Sequence, residues 1–255
     1  MKRCKSVQLL VTFKKKMKKL LRKIYFLINE RTYQGRVKYV LKKRSNKALV
    51  ISFSGFSPTP VYNYMRTLNS VKADQLYILD DFGYKGSYYW YENGKEEPRL
   101  LVQGLINQVV IRGGYERVIT LGSSKGGTCA IYYGLMIGAD DIYAGACQYY
   151  AGNYLNTEKH LAIFKAMMGN IQHDAAVNIL NRMLPDMLRQ SRGTNCFVHL
   201  LFSKNEHTYD EHIRFLIEDL EKNNIQFEEK LESFDDHNEV GKYFAPWILE
   251  SLRKI

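Results

Sequence analysis

Ser124 stands in the run Val118-Ile119-Thr120-Leu121-Gly122-Ser123-Ser124-Lys125-Gly126-Gly127, where Gly122, Ser124 and Gly126 satisfy the pattern G-x-S-x-G. When an apolar strand enters such a pattern and a helix leaves it, a strained turn lifts the serine Oγ clear of the sheet, where it can act as a nucleophile. The pentapeptide alone is common by chance, so the context carries the reading: residues 117–121 read as a strand and residues 125–137 as a helix. The plainer alternative is a glycine-rich turn holding a phosphate at the helix N-terminus, but the spacing of a Walker-A loop is absent.

A nucleophilic serine needs a base, and the base needs a carboxylate to orient it. Of the six histidines, His237 follows the last expected strand, in Asp235-Asp236-His237-Asn238, which is where the base belongs if Ser124 is the nucleophile. His199 falls inside a strand, His207 and His212 follow that strand, and His160 and His173 lie in a helical stretch. Glu206, in Ser203-Lys204-Asn205-Glu206-His207, is the favoured acid; Asp210 is its rival, though it also suits the start of the next helix. The oxyanion donors expected are the backbone N–H of Lys125 and that of Phe56, with Gly55 letting the backbone approach the substrate. Gln148, Tyr149 and Tyr150 are expected to face the same cleft, with Tyr149 against a sugar ring.

These residues need a scaffold, and the chain alternates between strand and helix patterns. Strands are expected at residues 48–54, 76–79, 117–121, 141–147, 196–202 and 227–234, with a small hairpin around residues 88–91 before Asn93-Gly94. Helices are expected from Pro98 to Gly113, at 125–137, about 209–222 and 239–252. Strands separated by helices imply an α/β fold with a mostly parallel sheet. Residues 151–195 carry helical patterns and no good strand, which suggests an inserted cap. Its Met167, Met168, Met183 and Met187 suit either an acyl pocket or the inner face of a helical pair.

With 255 residues, 45% of them hydrophobic and 25% charged, the chain can bury a full core, and disorder is excluded. Its net charge of +11 is unevenly placed: residues 1–47 hold 17 of the 37 basic residues and only Glu30 among the 26 acidic ones. The body is therefore mildly acidic, and the domain boundary is expected near residue 46, with the globular domain at 47–255. In the arm, Leu10, Phe13, Met17, Leu20, Leu21, Ile24, Leu27 and Ile28 recur at helical spacing among lysines. Residues 8–28 therefore suit an anionic membrane surface, a partner protein or this protein's own body. Nucleic acid is not expected, since no binding motif accompanies the lysines. Neither a membrane-spanning run nor a signal peptide is expected. The scattered Cys4, Cys129, Cys147 and Cys196 suit reduced cytosolic thiols rather than disulfides or zinc, and no metal or cofactor is expected.

Over roughly residues 48–252, the elbow, the segment Asp141-Ile142-Tyr143-Ala144-Gly145-Ala146 and the late Glu206 and His237 resemble the α/β-hydrolase superfamily. Within it, the chain is similar to bacterial capsule-biosynthesis proteins of the XcbB/CpsF type and to the hydrolase-like protein of the accessory Sec system, which handles glycosylated adhesins. That resemblance implies a Ser–Glu–His arrangement of Ser124, Glu206 and His237 and acetylation of sugars. The expected function is serine-dependent acyl transfer or ester hydrolysis on a surface glycan or its precursor, with an acyl donor and a glycan acceptor as partners. The enzyme would be cytoplasmic, peripheral at the inner face of the plasma membrane. A non-catalytic binding module and a small-lipid carboxylesterase are the other readings.

Overall fold

The computed structural model describes residues 16, 17, 20, 21, 23–44 and 47–255. Eight strands form one sheet: β1 (Glu30–Tyr33), β2 (Val37–Lys42), β3 (Ala48–Ser52), β4 (Asp74–Ile78), β5 (Arg117–Ser123), β6 (Asp141–Gly145), β7 (Phe197–Phe202) and β8 (Gln226–Leu231). Their order is β1-β2-β4-β3-β5-β6-β7-β8; β3 to β8 run parallel, while β1 and β2 pair antiparallel. The sheet thus begins earlier in the chain than the expected start at Ala48. Residues 30–42 are basic but alternate apolar with polar side chains, and Val37 and Val40 turn fully into the core. At the far edge, β8 exposes most of its charged Gln226-Phe227-Glu228-Glu229-Lys230-Leu231, which discourages pairing with another chain.

Helices cover both faces. On one face pack α1 (Glu97–Gly113), α2 (Lys125–Ile137), α3 (Ala151–Leu155), α4 (Leu161–Met168), α5 (His173–Gln190) and α6 (Arg214–Lys222), around Ile51, Phe53, Tyr133, Leu180 and Leu216. On the other lies α7 (Val240–Ser251), whose Phe244 and Ile248 meet Val50, Ile119 and Tyr143. Helix α2 matches its expected bounds and is buried from Lys125 through Leu135, as suits a helix enclosed by sheet and neighbours. Helices α3 to α5 fill residues 151–190 between β6 and β7.

The hairpin expected around residues 88–91 is absent. Asn93 and Gly94 do turn with positive φ, but only Glu92 and Lys95 pair across the turn. Tyr88, Tyr89 and Trp90 instead fill the core, each fully buried, with Tyr88 and Trp90 stacked at 4.9 Å.

At the N-terminus residues 23–29 are helical, and Ile24, Leu27 and Ile28 are exposed, Leu27 by 85%. The expected stripe's Leu10 and Phe13 lie outside the described residues. Phe26 stacks on Tyr62 at 5.2 Å, and the Tyr62 hydroxyl donates to Glu30 Oε2 at 2.8 Å. Among the described residues, no helix is long and apolar enough to cross a membrane.

Candidate active site

The turn between β5 and α2 holds Ser124 at φ 54°, a backbone conformation that is uncommon outside glycine. Two glycines make room for it. A Cβ on Gly122 would sit 2.2 Å from the Gly126 carbonyl oxygen, and one on Gly126 would sit 2.7 Å from that of Phe53. The Ser124 amide donates to the Gly145 carbonyl at 2.7 Å, which ties the turn to the end of β6.

The structure brings Ser124, His237 and Glu206 together from three separate loops. Ser124 Oγ lies 2.7 Å from His237 Nε2, and His237 Nδ1 lies 2.9 Å from Glu206 Oε1. A carboxylate only accepts, so Nδ1 carries the proton and Nε2 is free to accept from the serine hydroxyl. The Glu206 side chain is buried; its Oε2 accepts from the Thr208 hydroxyl, and its Oε1 also lies 2.9 Å from His207 Nδ1. Burial alone would raise the Glu206 pKa. The hydrogen bonds from His237 and Thr208, with the fields of His237 and His207, outweigh it and hold the carboxyl below its ordinary range. Asp210 is exposed at the start of the next helical turn and lines no part of the cleft.

Ser124 opens on a cleft of about 1150 Å³ lined by Gly55, Phe56, Asn63, Tyr154, His207 and His237 among others. Gly55 and Phe56 thus border the same cleft as Ser124. Lys125, as the first residue of α2, has an amide N–H without an intrahelical acceptor. Its side chain turns away from the cleft and is fully buried, with Nζ 2.5 Å from Asp80 Oδ2 and 4.6 Å from the centre of the Tyr89 ring. Asp80 also accepts from the backbone N–H groups of Ser87 (2.8 Å) and Tyr89 (3.3 Å). This pair anchors the loop after β4 to the helix that follows Ser124.

Gln148 reaches the site as expected: it is fully buried, and its Nε2 donates to Ser124 Oγ at 3.1 Å. Its Oε1 accepts from the Tyr88 hydroxyl at 3.2 Å, so the amide orientation is set from both ends. Tyr149 does not face the cleft. Its ring is buried in the core and its hydroxyl donates to Asp219 on α6, because the chain turns just after β6 and sends successive side chains apart. The methionines are not an acyl pocket here either: Met167 and Met168 are core residues, while Met183 and Met187 border a separate surface groove beside Arg99 and Tyr132.

Sequence reasoning missed Asp80, Asn63, Tyr64 and the position of His212. Asn63 and Tyr64 come from the loop after β3, where only Gly55 and Phe56 carried a signal. Asp80 in Asp80-Asp81-Phe82-Gly83 followed an expected strand, but nothing in that run announces a partner 45 positions away.

No protein-family model and no curated protein sequence matches the chain. Solved structures do. A capsule O-acetyltransferase of Neisseria meningitidis serogroup A, in complex with CoA, superposes with a TM-score of 0.75 at 20% identity, over 88% of this chain and 94% of that one. A glycosylation-associate protein complex from Streptococcus agalactiae gives 0.68 at 17% identity, over 88% of this chain and 46% of that one. A fluorophosphonate-binding serine hydrolase of Staphylococcus aureus gives 0.60 at 16% identity, over 85% and 90%. Strand order, the turn at Ser124 and these likenesses agree that the chain has the α/β-hydrolase fold.

Proposed function

We propose that this protein is a serine-dependent acyltransferase or esterase acting on a bacterial surface glycan or its precursor, through an acyl-enzyme on Ser124. The observation that carries the reading is the unbroken relay from Ser124 Oγ to His237 (2.7 Å) and from His237 to Glu206 (2.9 Å). In this reading Ser124 Oγ attacks the acyl carbonyl carbon while its proton passes to His237 Nε2. The tetrahedral intermediate collapses, the bond to the leaving group breaks, and His237 returns the proton to that group. A glycan hydroxyl or water then gives His237 its proton and attacks the acyl carbonyl, and Ser124 regains a proton as the ester bond to it breaks. The N–H groups of Phe56 and Lys125 hold the oxyanion in both halves, and Gln148 orients the serine oxygen. Glu206 stays ionised beside the imidazolium, which is consistent with its lowered pKa.

An acetyl group on a capsule glycan, with a CoA thioester as donor, is the reading favoured by the neighbour solved as a capsule O-acetyltransferase with CoA. The deciding experiment is labelling with a fluorophosphonate probe and mapping of the adduct. Wild type should label at Ser124, while Ser124→Ala and His237→Ala should not. A folded wild-type protein that stays unlabelled would leave the fold serving only as a binding module.

The arm belongs to the same proposal. Ahead of β1, residues 1–29 hold ten basic residues and no acidic one, and the described part exposes Leu27 and Ile28 by 85% and 72%. Together these features suit docking at an anionic membrane surface on the cytoplasmic side, near lipid-linked precursors. In flotation assays the protein should rise with vesicles containing anionic lipid and stay behind with neutral ones. Equal recovery with both vesicle types would sink the electrostatic reading.

A further inference from the structure

His212 lies beside the relay without taking part in it. It lines the cleft, yet only 1% of its surface is exposed. Its Nδ1 accepts the Tyr150 backbone N–H at 3.3 Å, so the ring proton sits on Nε2. Burial, with the fields of His207 and His237, depresses its pKa to about 4 against the pull of Glu206, so the ring is neutral at pH 7. That leaves one N–H donor, and among the described residues Nε2 has no hydrogen-bond partner. A buried donor left unpaired is costly, and inside a cleft it marks a place where a ligand supplies the acceptor.

The neighbour of Nε2 says which acceptor. Glu211 Oε2 stands 3.9 Å away, too far to be bonded, and Glu211 also lines the cleft. An ester or thioester carbonyl would satisfy only the histidine, and an amide N–H would satisfy only the carboxylate. A hydroxyl seated at hydrogen-bond length from both satisfies the two at once. Alongside, Tyr154 and His160 stack at 4.5 Å, with Phe56 beyond His160, and give the cleft an aromatic wall next to this polar pair. We infer that His212 and Glu211 form a subsite for a hydroxyl of a sugar, with Tyr154 and His160 flanking the ring. The inference deepens the acyl-transfer reading and rests on it for the sugar's role as acceptor, but the binding itself is testable alone.

The probes are methyl glycosides of glucose, galactose and mannose, titrated against the full chain by saturation-transfer NMR. At least one should bind the wild type. In His212→Asn the side-chain oxygen stands where Nδ1 stood and keeps the Tyr150 N–H paired, but no donor reaches the cleft. Its Kd should rise about tenfold, the weight of one hydrogen bond in a buried site. His212→Gln places an amide N–H where Nε2 was and should recover most of the affinity, which a merely structural role would not allow. Glu211→Ala, at an exposed side chain, should weaken binding several-fold without threatening the fold. A wild type that binds none of the glycosides, or a His212→Asn variant that binds as well as wild type, overturns the subsite. Labelling of Ser124 in the same preparations keeps the two readings apart. A protein that labels but binds no glycoside loses the subsite alone. One that binds through His212 but does not label loses the acyl-enzyme alone.

Discussion

Glu206→Gln is expected to lower kcat for p-nitrophenyl acetate hydrolysis by about 10⁴-fold while leaving KM nearly unchanged. The loss would come from the proton's position more than from missing charge. A glutamine can turn its NH₂ toward His237 Nδ1, which then becomes an acceptor and drives the ring proton to Nε2. An Nε2–H cannot take a proton from Ser124, whose Oγ lies 2.7 Å away. Asp210→Asn, at an exposed side chain that lines no part of the cleft, should stay within about twofold of wild type on the same assay, since surface carboxylates contribute little. Steady-state kinetics on the two variants decides between the carboxylates. Equal losses, or a larger loss for Asp210→Asn, would reassign the acid.

Asp80→Ala should give the largest change in stability, a loss of about 3–5 kcal/mol in urea unfolding, because it strands the fully buried Lys125 ammonium. For a chain of this size that corresponds to a fall in Tm on the order of 10 °C. The comparison that identifies the cause is the double variant Asp80→Ala, Lys125→Met. With both charges gone and the volume near Tyr89 still filled, most of the lost stability should return. A double variant as unstable as the single one would mean that Asp80 matters instead through the Ser87 and Tyr89 amides it accepts.

Much of the scaffold is legible in the sequence because its signals are local. Helix α2 is readable because Gly122, Ser124 and Gly126 mark its start, and Gly138, at φ 65°, caps its end. The order serine, glutamate, histidine points to Glu206 and His237 because each follows an expected strand, at residues 196–202 and 227–234. What depends on facing is not legible. Period alone does not say whether Tyr149 or Gln148 turns toward the serine after β6, and only packing sends one inward to Asp219 and the other to Ser124. The helical spacing of the methionines is equally silent on which neighbour they meet. Strands β1 and β2 are hidden for another reason: their lysines and arginines read as part of the basic arm, while Lys38 in β2 and Arg36 just before it in fact pair with Asp81, shortly after the neighbouring β4.

Glu30, the lone carboxylate among the first 47 residues, bears on where the chain can be cut. It grips Tyr62, and Phe26 lies flat on the same ring. Asn63 and Tyr64, the next two residues, are part of the wall around the serine. A truncation at residue 46, which charge alone would recommend, removes both fasteners and two strands. A cut ahead of residue 23 sheds Met17, Leu20 and Leu21 from the exposed stripe and keeps the wall fastened. That shorter protein is the one in which surface docking and chemistry can be measured apart.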